Sequence, residues 1–175
     1  MSKAGTSALN SLPVFFAHAL ALETEAAERY QELADVMAVH NNPVAAELFH
    51  KLAGYGHQHA AEVRDMMKNA EPVSLAPWEY DWGGVEAPET SAMADADYRM
   101  TSAHVMQMAL KTEQAAHDYY ASVAAEASDD EVRRLAQEFA EEEAGHVEYV
   151  KQWIARNPVA LEELPEDDDP AHMPE

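Results

Sequence analysis

The stretches ALALETEAAERYQELA, at residues 19–34, and ALKTEQAAHDYYASVA, at residues 109–124, are identical at six of sixteen aligned positions. The identical residues include a glutamate that is followed seven residues later by a tyrosine. These are Glu23 and Tyr30 in the first stretch and Glu113 and Tyr120 in the second. A repeat of this kind indicates internal duplication, and the duplicated unit carries an acid.

Each of these glutamates is followed by a histidine on the next predicted helix. His59 lies 36 residues after Glu23, and His146 lies 33 residues after Glu113. Each half of the chain therefore consists of a helix with a glutamate and then a helix with a histidine. The sequence predicts four helices in two copies of one hairpin.

Capping residues and prolines mark the boundaries of these helices. Helix starts are predicted at Ser11, at Asn42, near Asp95 or Asp97, and at Ser128 or Asp129, where Glu131 completes an approximate capping box with Ser128. Helix ends are predicted near His40, near Asn69 and before Asn157. The pattern requires no strand, so the fold class is all-α.

Residues 70–94, about 25 residues rich in proline and glycine, connect the second and third helices. Neighbouring helices of a bundle are usually joined by about two to eight residues, so this segment is a long crossover loop. Two pseudo-symmetric hairpins joined in this way make a ferritin-like four-helix bundle. We expect the aromatic residues Trp78, Tyr80 and Trp82 to pack the crossover onto the bundle.

The domain plan follows from these boundaries. Residues 1–10 are expected to form an N-terminal tail and residues 11–156 the bundle. Residues 157–175 combine an acidic run with several prolines, a composition typical of a mobile acidic tail.

The composition excludes several function classes. The formal net charge of -22 repels nucleic acid and anionic membrane surfaces. No stretch approaches the roughly 18 apolar residues of a membrane span, and the N-terminus lacks a signal-peptide pattern, so a cytoplasmic protein is expected. The absence of cysteine excludes disulfides, iron–sulfur clusters and thiolate metal sites.

Ionisable residues interrupt the apolar face of each predicted helix. They are Glu23, His59, Glu113, Glu143 and His146. An isolated carboxylate in a bundle core is costly unless it is neutralised, paired or bound to a cation. Carboxylate oxygens and imidazole nitrogens suit iron, manganese or zinc, and Glu143-x-x-His146 presents both side chains to one cation. The sequence therefore predicts a metal site in the bundle core.

Over roughly residues 12–155 the chain resembles a rubrerythrin-type member of the ferritin-like superfamily. The resemblance rests on one acid or histidine on each of the first three helices and on EEEAGH at residues 141–146. It implies a di-iron centre that reduces peroxide or oxidises ferrous iron with dioxygen. The implied iron ligands are Glu23, His59, Glu113, Glu143 and His146, and Tyr30 and Tyr120 would line the site or hydrogen-bond near it.

Rubrerythrins proper also carry a cysteine-ligated iron domain that delivers electrons. This chain has no cysteine, so electrons would come from a donor protein. The resemblance also favours a homodimer built on the long first and second helices.

The chain departs from the family pattern at Gly56, where the family has a bridging glutamate. Three explanations are open: Glu62 supplies the carboxylate, water or an anion fills the position, or the site has lost one metal. Glu142 borders the same face and is a further candidate. The rival interpretation is a non-catalytic helical bundle with a degenerate or structural metal site. His18, by contrast, is interpreted as a surface or boundary residue.

Overall fold

The protein is a bundle of four long helices in this computed structural model, which describes residues 11–82 and 101–158. Their bounds are α1, Leu12–Val39; α2, Pro43–Met67; α3, Ser102–Glu126; and α4, Asp130–Arg156. A single 3₁₀ turn, Pro77–Glu79, lies after α2. The described ranges contain no strand, and the prediction of an all-α four-helix bundle is confirmed.

Each of the four helices begins at a side-chain cap, and the caps of α1, α2 and α4 are residues that the sequence predicted as helix starts. Ser11 Oγ accepts a hydrogen bond from the backbone nitrogen of Val14, and Asn42 caps α2 in the same way. The helix α3 begins later than predicted, because Thr101 is its cap. The positions near residues 95 and 97 lie outside the described residues.

The cap of α4 is Asp129 rather than Ser128. Its carboxylate accepts hydrogen bonds from the backbone nitrogens of Glu131 and Val132, at 2.9 and 3.1 Å. These bonds satisfy two of the amide donors that a helix start leaves unpaired. Asp129 is one of the two starts that the sequence predicted for this helix.

The helices pack mainly within the hairpins α1–α2 and α3–α4, and the hairpins then pack on each other. The core divides into two apolar clusters at different levels of the bundle. One is built around Phe15, Leu22, Tyr120, Val132 and Phe139. The other is built around Tyr30, Phe49, Leu52, Met106 and Val150.

The predicted inward residues fall between these clusters on every helix. On α1, for example, Glu23 lies between Leu22 of the first cluster and Tyr30 of the second. Glu23, Glu113 and Glu143 are each at most 3% exposed. The acids therefore lie at the middle level of the bundle, away from its ends.

The described part of the crossover, residues 70–82, is held by His18, and the interpretation of this histidine as a surface residue is wrong. His18 is fully buried. Its Nδ1 donates a hydrogen bond to the carbonyl oxygen of Val14, and its Nε2 accepts one from the backbone N–H of Asp81, at 2.9 and 3.0 Å. The ring also packs edge-on against Tyr80 and Trp82. A neutral imidazole thus pins the loop to α1.

The three crossover aromatics do not all have the packing role predicted for them. Tyr80 and Trp82 stack on each other with ring centroids 5.5 Å apart, and Trp82 packs against the bundle. Trp78 is instead 82% exposed and does not pin the loop.

None of the described helices is long and apolar enough to cross a membrane. The predicted N-terminal tail, most of the acidic C-terminal tail and residues 83–94 of the crossover lie outside the described residues.

Candidate metal centre

The five inward residues form two half-sites that share one carboxylate. In the first, Oε2 of Glu23 lies 3.4 Å from Nδ1 of His59. In the second, Oε2 of Glu113 lies 3.2 Å from Nδ1 of His146. Glu143 lies between them, with Oε1 3.7 Å from Nδ1 of His59 and Oε2 3.1 Å from Nδ1 of His146. Each half-site therefore contains a terminal carboxylate, an imidazole and one oxygen of Glu143.

Two tyrosines hold the terminal carboxylates across the duplicated halves. Tyr120 on α3 donates a hydrogen bond of 2.8 Å to Oε1 of Glu23 on α1. In the reciprocal contact, Tyr30 on α1 donates to Oε1 of Glu113 on α3. All four side chains are buried. Since each phenol occupies Oε1, Oε2 of each glutamate is left facing the centre.

The two histidine rings stack on each other, with centroids 5.0 Å apart and an interplanar angle of 18°. Tyr55 stacks on His146 at 4.7 Å and 9°. Stacked neighbours restrict the rotation of an imidazole and so hold its Nδ1 in place. The nearest ligand atoms of His59, Glu143 and His146 all lie within 4.8 Å of one another, close enough to surround a single ion.

Burial and charge pull the pKa values of the carboxyl groups in opposite directions. Burial raises the pKa of Glu23 and of Glu113 above the ordinary value, although His59 and His146 partly oppose it. Glu143 is also buried, but hydrogen bonding and attraction from both histidines outweigh desolvation and hold its pKa below the ordinary value. Glu143 is thus the acid most strongly favoured as a carboxylate.

The pKa values of both histidines are raised despite desolvation, which alone would lower them. The carboxylates of Glu143 and Glu23 raise the pKa of His59 to about 11, and those of Glu113 and Glu143 raise the pKa of His146 to about 9. Without a cation, two protonated histidines therefore balance the buried acids. This pairing offsets the mutual repulsion among the carboxylates.

The donor atoms of these residues suit transition-metal ions. Three carboxylates and two imidazoles are oxygen and nitrogen ligands of the kind that iron, manganese and zinc accept. Both oxygens of Glu143 face the centre, one towards each histidine, which is the arrangement of a bridging carboxylate. The protonated histidines mark where positive charge is needed, and a cation would replace their protons.

Gly56 is buried on α2 against α1. A Cβ atom built on it would meet Ala27 Cβ and the backbone oxygen of Glu23, both at 3.1 Å, and the nitrogen of Ala27 at 3.2 Å. The position therefore serves a close approach of the two helices. Even a Cβ atom there would require its neighbours on α1 to move by a few tenths of an ångström.

Glu142 and Glu62 lie at the outer side of the first half-site. Oε2 of Glu142 is 3.6 Å from Nε2 of His59. Glu62 lines a narrow gap with Glu23, His59 and Glu142, and its Oε1 accepts a hydrogen bond from Gln58. Glu142 is therefore better placed than Glu62 to add a carboxylate beside His59.

Sequence reasoning missed the stacking of Tyr55 on His146 and the reciprocal pairing of tyrosines with glutamates of the other half. The repeat itself carried a signal for the second feature. In a bundle whose halves are related by a pseudo-twofold axis, equivalent residues lie opposite each other. Glu23 on α1 can therefore face Tyr120, which is the counterpart of Tyr30 in the second half.

Comparisons with known proteins agree with this architecture. The rubrerythrin family model matches residues 15–154. The crystal structure of an uncharacterised conserved protein from Magnetospirillum magnetotacticum is 40% identical in sequence, with a TM-score of 0.69. That similarity covers 85% of this chain and 97% of the other. No curated protein sequence matches the chain.

Proposed function

We propose that this chain, which belongs to the rubrerythrin family of ferritin-like proteins, binds two metal ions, iron foremost, for oxidase or peroxidase chemistry or iron handling. The observation that carries the proposal is the position of Glu143 between two histidines, each of which has its own buried glutamate. Manganese and zinc are the other metals that this ligand set accepts.

Each residue has a defined part in this proposal. Glu23 and His59 would hold one ion, Glu113 and His146 would hold the other, and Glu143 would contribute one oxygen to each. A bound pair of irons would supply the electrons that reduce peroxide or the centre at which dioxygen oxidises ferrous iron. Oxygen-rich ligation of this kind stabilises the ferric state.

Buried contacts around the centre keep this geometry fixed. Tyr30 and Tyr120 each hold one glutamate oxygen, so the carboxylates do not need to reorganise on binding. The apolar clusters above and below the centre exclude water along the bundle axis. A narrow gap lined by Glu23, His59 and Glu62 lies beside the half-exposed Glu142, at the outer side of the first half-site.

Metal stoichiometry tests the proposal. The full chain is stripped with chelator, loaded with ferrous iron under nitrogen, desalted, and analysed for iron. We expect close to two irons per chain and, on admission of air or peroxide, the absorption of a ferric oxo centre. Glu143→Gln should weaken both sites, by at least the 100-fold or so that loss of an outer partner can cause.

Glu142→Gln is the matched control, because it alters the neighbouring acid of the same helix. It should retain both irons with at most a modest loss of affinity at one site. Two irons still bound to Glu143→Gln would contradict the proposal.

A second candidate is a non-catalytic bundle with a single structural metal. The observation in its favour is Gly56, which leaves the first half-site without the glutamate expected there. One tightly held zinc, with no oxidation of ferrous iron and no peroxide turnover, is the result that would select this candidate.

A homodimer and a separate electron-donor protein complete the proposal. Light scattering of the full chain and of a version ending at Asn157 should give a dimer in both cases, because an acidic tail adds only repulsion to an interface. A monomer or a large cage in either sample would contradict it.

A further inference from the structure

We propose that Trp82, Tyr119 and Tyr120 form a one-electron transfer path between the crossover loop at the protein surface and the Glu23 side of the centre. The purpose of the path rests on the proposed function. Its test does not require a bound metal, so the two can fail separately.

The path is a continuous series of aromatic contacts. Starting at the centre, Tyr120 donates its 2.8 Å hydrogen bond to Glu23. Its ring centroid is 5.3 Å from that of Tyr119, which is 5.5 Å from that of Trp82. Tyr80 then stacks on Trp82 at 5.5 Å and 5°. Electrons pass between aromatic rings in contact far more readily than through aliphatic protein.

Burial decreases steadily along this series. Tyr120 is fully buried, Tyr119 is 7% exposed, and Trp82 and Tyr80 are partly exposed. His18 fixes the outer end, because it binds the backbone of Asp81 and packs edge-on against Trp82 at 5.1 Å. The loop therefore presents an oxidisable side chain to solvent at a fixed distance from the core.

The hydrogen bonding differs between the two adjacent tyrosines. Oxidation of a tyrosine releases its phenolic proton, which needs an acceptor. The hydroxyl of Tyr120 has Glu23 as its acceptor. The hydroxyl of Tyr119 is buried and has no hydrogen-bond partner among the described residues. Tyr119 thus serves to relay an electron, whereas Tyr120 is the position at which a radical can rest.

Electrons and protons balance in each step of the transfer. An oxidant at the centre, peroxide or dioxygen in the proposed function, removes one electron from Tyr120, and the phenolic proton moves to Oε1 of Glu23. One electron passes from Trp82 across Tyr119 to Tyr120, and the proton returns to the phenol. A one-electron reductant at the surface, such as a reduced flavin, restores Trp82. Each transfer moves one electron inwards and no net proton along the path; two such transfers, with two protons from solvent, reduce one peroxide to two water molecules.

A second aromatic series lies on the opposite side of the centre. Tyr55 stacks on His146, Tyr149 lies edge-on to Tyr55, and Trp153 follows Tyr149. This series reaches the centre through an imidazole ring and offers no phenol-to-carboxylate hydrogen bond there. It provides the matched control for the experiment.

The experiment uses the metal-free full chain with a photosensitiser at one position. Because the chain has no cysteine, Ser74→Cys gives a single thiol for a ruthenium complex in the groove that Tyr80 also lines. Trp78→Phe and Tyr80→Phe remove the other oxidisable side chains of residues 70–82. After a laser flash with an electron acceptor in solution, we expect transient absorption to show a tryptophanyl radical that converts into a tyrosyl radical.

Further substitutions, each made singly in this triply substituted chain, identify the residues that carry the two radicals. Tyr120→Phe should abolish the tyrosyl signal and prolong the tryptophanyl one, and Trp82→Phe should abolish both. Trp153→Phe should change neither. Circular dichroism verifies that each variant is folded, and the Trp82 and Tyr120 variants test the path independently. A tyrosyl signal that survives Tyr120→Phe, or that is lost in Trp153→Phe, would overturn the proposal, as would a tryptophanyl radical that never converts.

Discussion

A Cβ atom built on Gly56 would lie 3.1 Å from the Cβ of Ala27 on the neighbouring helix. The backbone oxygen of Glu23 is equally near. At the position where the family pattern has a bridging glutamate, α1 thus packs closely against α2. The departure from the family ligand pattern and the tight helix contact are one structural feature.

Gly56→Ala is therefore expected to destabilise the protein. Alanine gains about 0.5 to 1 kcal/mol over glycine inside a helix, whereas overpacking of a tight contact costs about 1 to 3 kcal/mol. We expect a net loss on the order of 1 kcal/mol in the free energy of unfolding, measured by urea denaturation of the metal-free protein.

Gly54→Ala is the control, because this glycine lies on the same helix with nothing within 4 Å of its would-be Cβ. That variant should be stabilised by about 0.5 to 1 kcal/mol. Equal stabilisation by both substitutions would show that α1 and α2 separate freely at Gly56.

Metal binding is expected to stabilise the bundle more as the pH rises. A raised pKa means that His59 and His146 stabilise the metal-free fold fully below pH 6.5, their ordinary pKa, and lose this effect as the pH passes through about 9 for His146. Metal binding becomes stronger over the same range, because it must displace the same protons. Melting curves with manganese or zinc at one fixed concentration, about 100 times the Kd at neutral pH, should show about 2.7 kcal/mol of stabilisation at that pH, and more at higher pH.

Glu143→Gln provides the comparison for this measurement. The variant should melt at nearly the same temperature with and without metal, since it replaces one of the two Glu143 oxygens with an NH2 group and removes the negative charge that both half-sites share. A stabilisation of the unaltered chain that does not change between about pH 6 and pH 9 would contradict a site built on these two histidines.

Removal of either buried phenol should destabilise the metal-free protein to a similar extent. Tyr30→Phe leaves Glu113 without its phenol donor, and Tyr120→Phe does the same to Glu23. Hydrogen bonds to charged groups contribute about 1.5 to 3 kcal/mol. Urea denaturation should show a loss of that size in each variant, and no comparable loss in Tyr149→Phe, whose ring lies partly exposed. A much larger effect of one phenol would show that the two halves are not equivalent.

Acid should release the crossover loop through His18. Desolvation lowers the pKa of this histidine below its model-compound value of 6.5, against weaker opposing effects from Val14 and Asp81. Its contribution to stability is complete above pH 6.5 and is lost as the pH falls towards the folded-state pKa. At about pH 5 the loss is at most about 2 kcal/mol. Urea denaturation followed by tryptophan fluorescence, at neutral pH and at about pH 5, measures this loss of stability.

His18→Gln separates this effect from the titration of the surface acids. Glutamine retains an acceptor for the backbone of Asp81 and does not titrate in this range. The variant should be less stable at neutral pH, yet lose less than the unaltered chain on acidification. His50→Gln, on the exposed face of α2, should behave as the unaltered chain does.

The sequence predicted the fold well because the duplicated pattern and the caps act locally. Ser11 and Asn42 begin their helices as their side chains alone suggest. His18 was misjudged because its environment comes from Asp81, 63 residues away in the chain and inside a loop without periodicity. No pattern in α1 distinguishes a buried histidine from one at the boundary.

The site was predictable to the level of helix faces and no further. The helical periodicity of the sequence, together with the position of each acid along its helix, suffices to place Glu23, Glu113 and Glu143 in one layer of the core. Which oxygen of Glu143 faces which histidine depends on side-chain rotamers and on the spacing between α2, which carries His59, and α4, which carries Glu143 and His146. The tight contact at Gly56 likewise depends on how closely two helices approach, and spacing along the chain does not encode that distance.

The reciprocal hydrogen bonds from Tyr30 to Glu113 and from Tyr120 to Glu23 also concern how the molecule unfolds. Each bond has its donor in one hairpin and its acceptor in the other, so neither hairpin can detach without breaking both bonds and exposing to water the apolar core that the hairpins share. A hairpin on its own is therefore not a stable unit of folding. The duplicated halves are interdependent, and the bundle should unfold in a single cooperative transition rather than hairpin by hairpin.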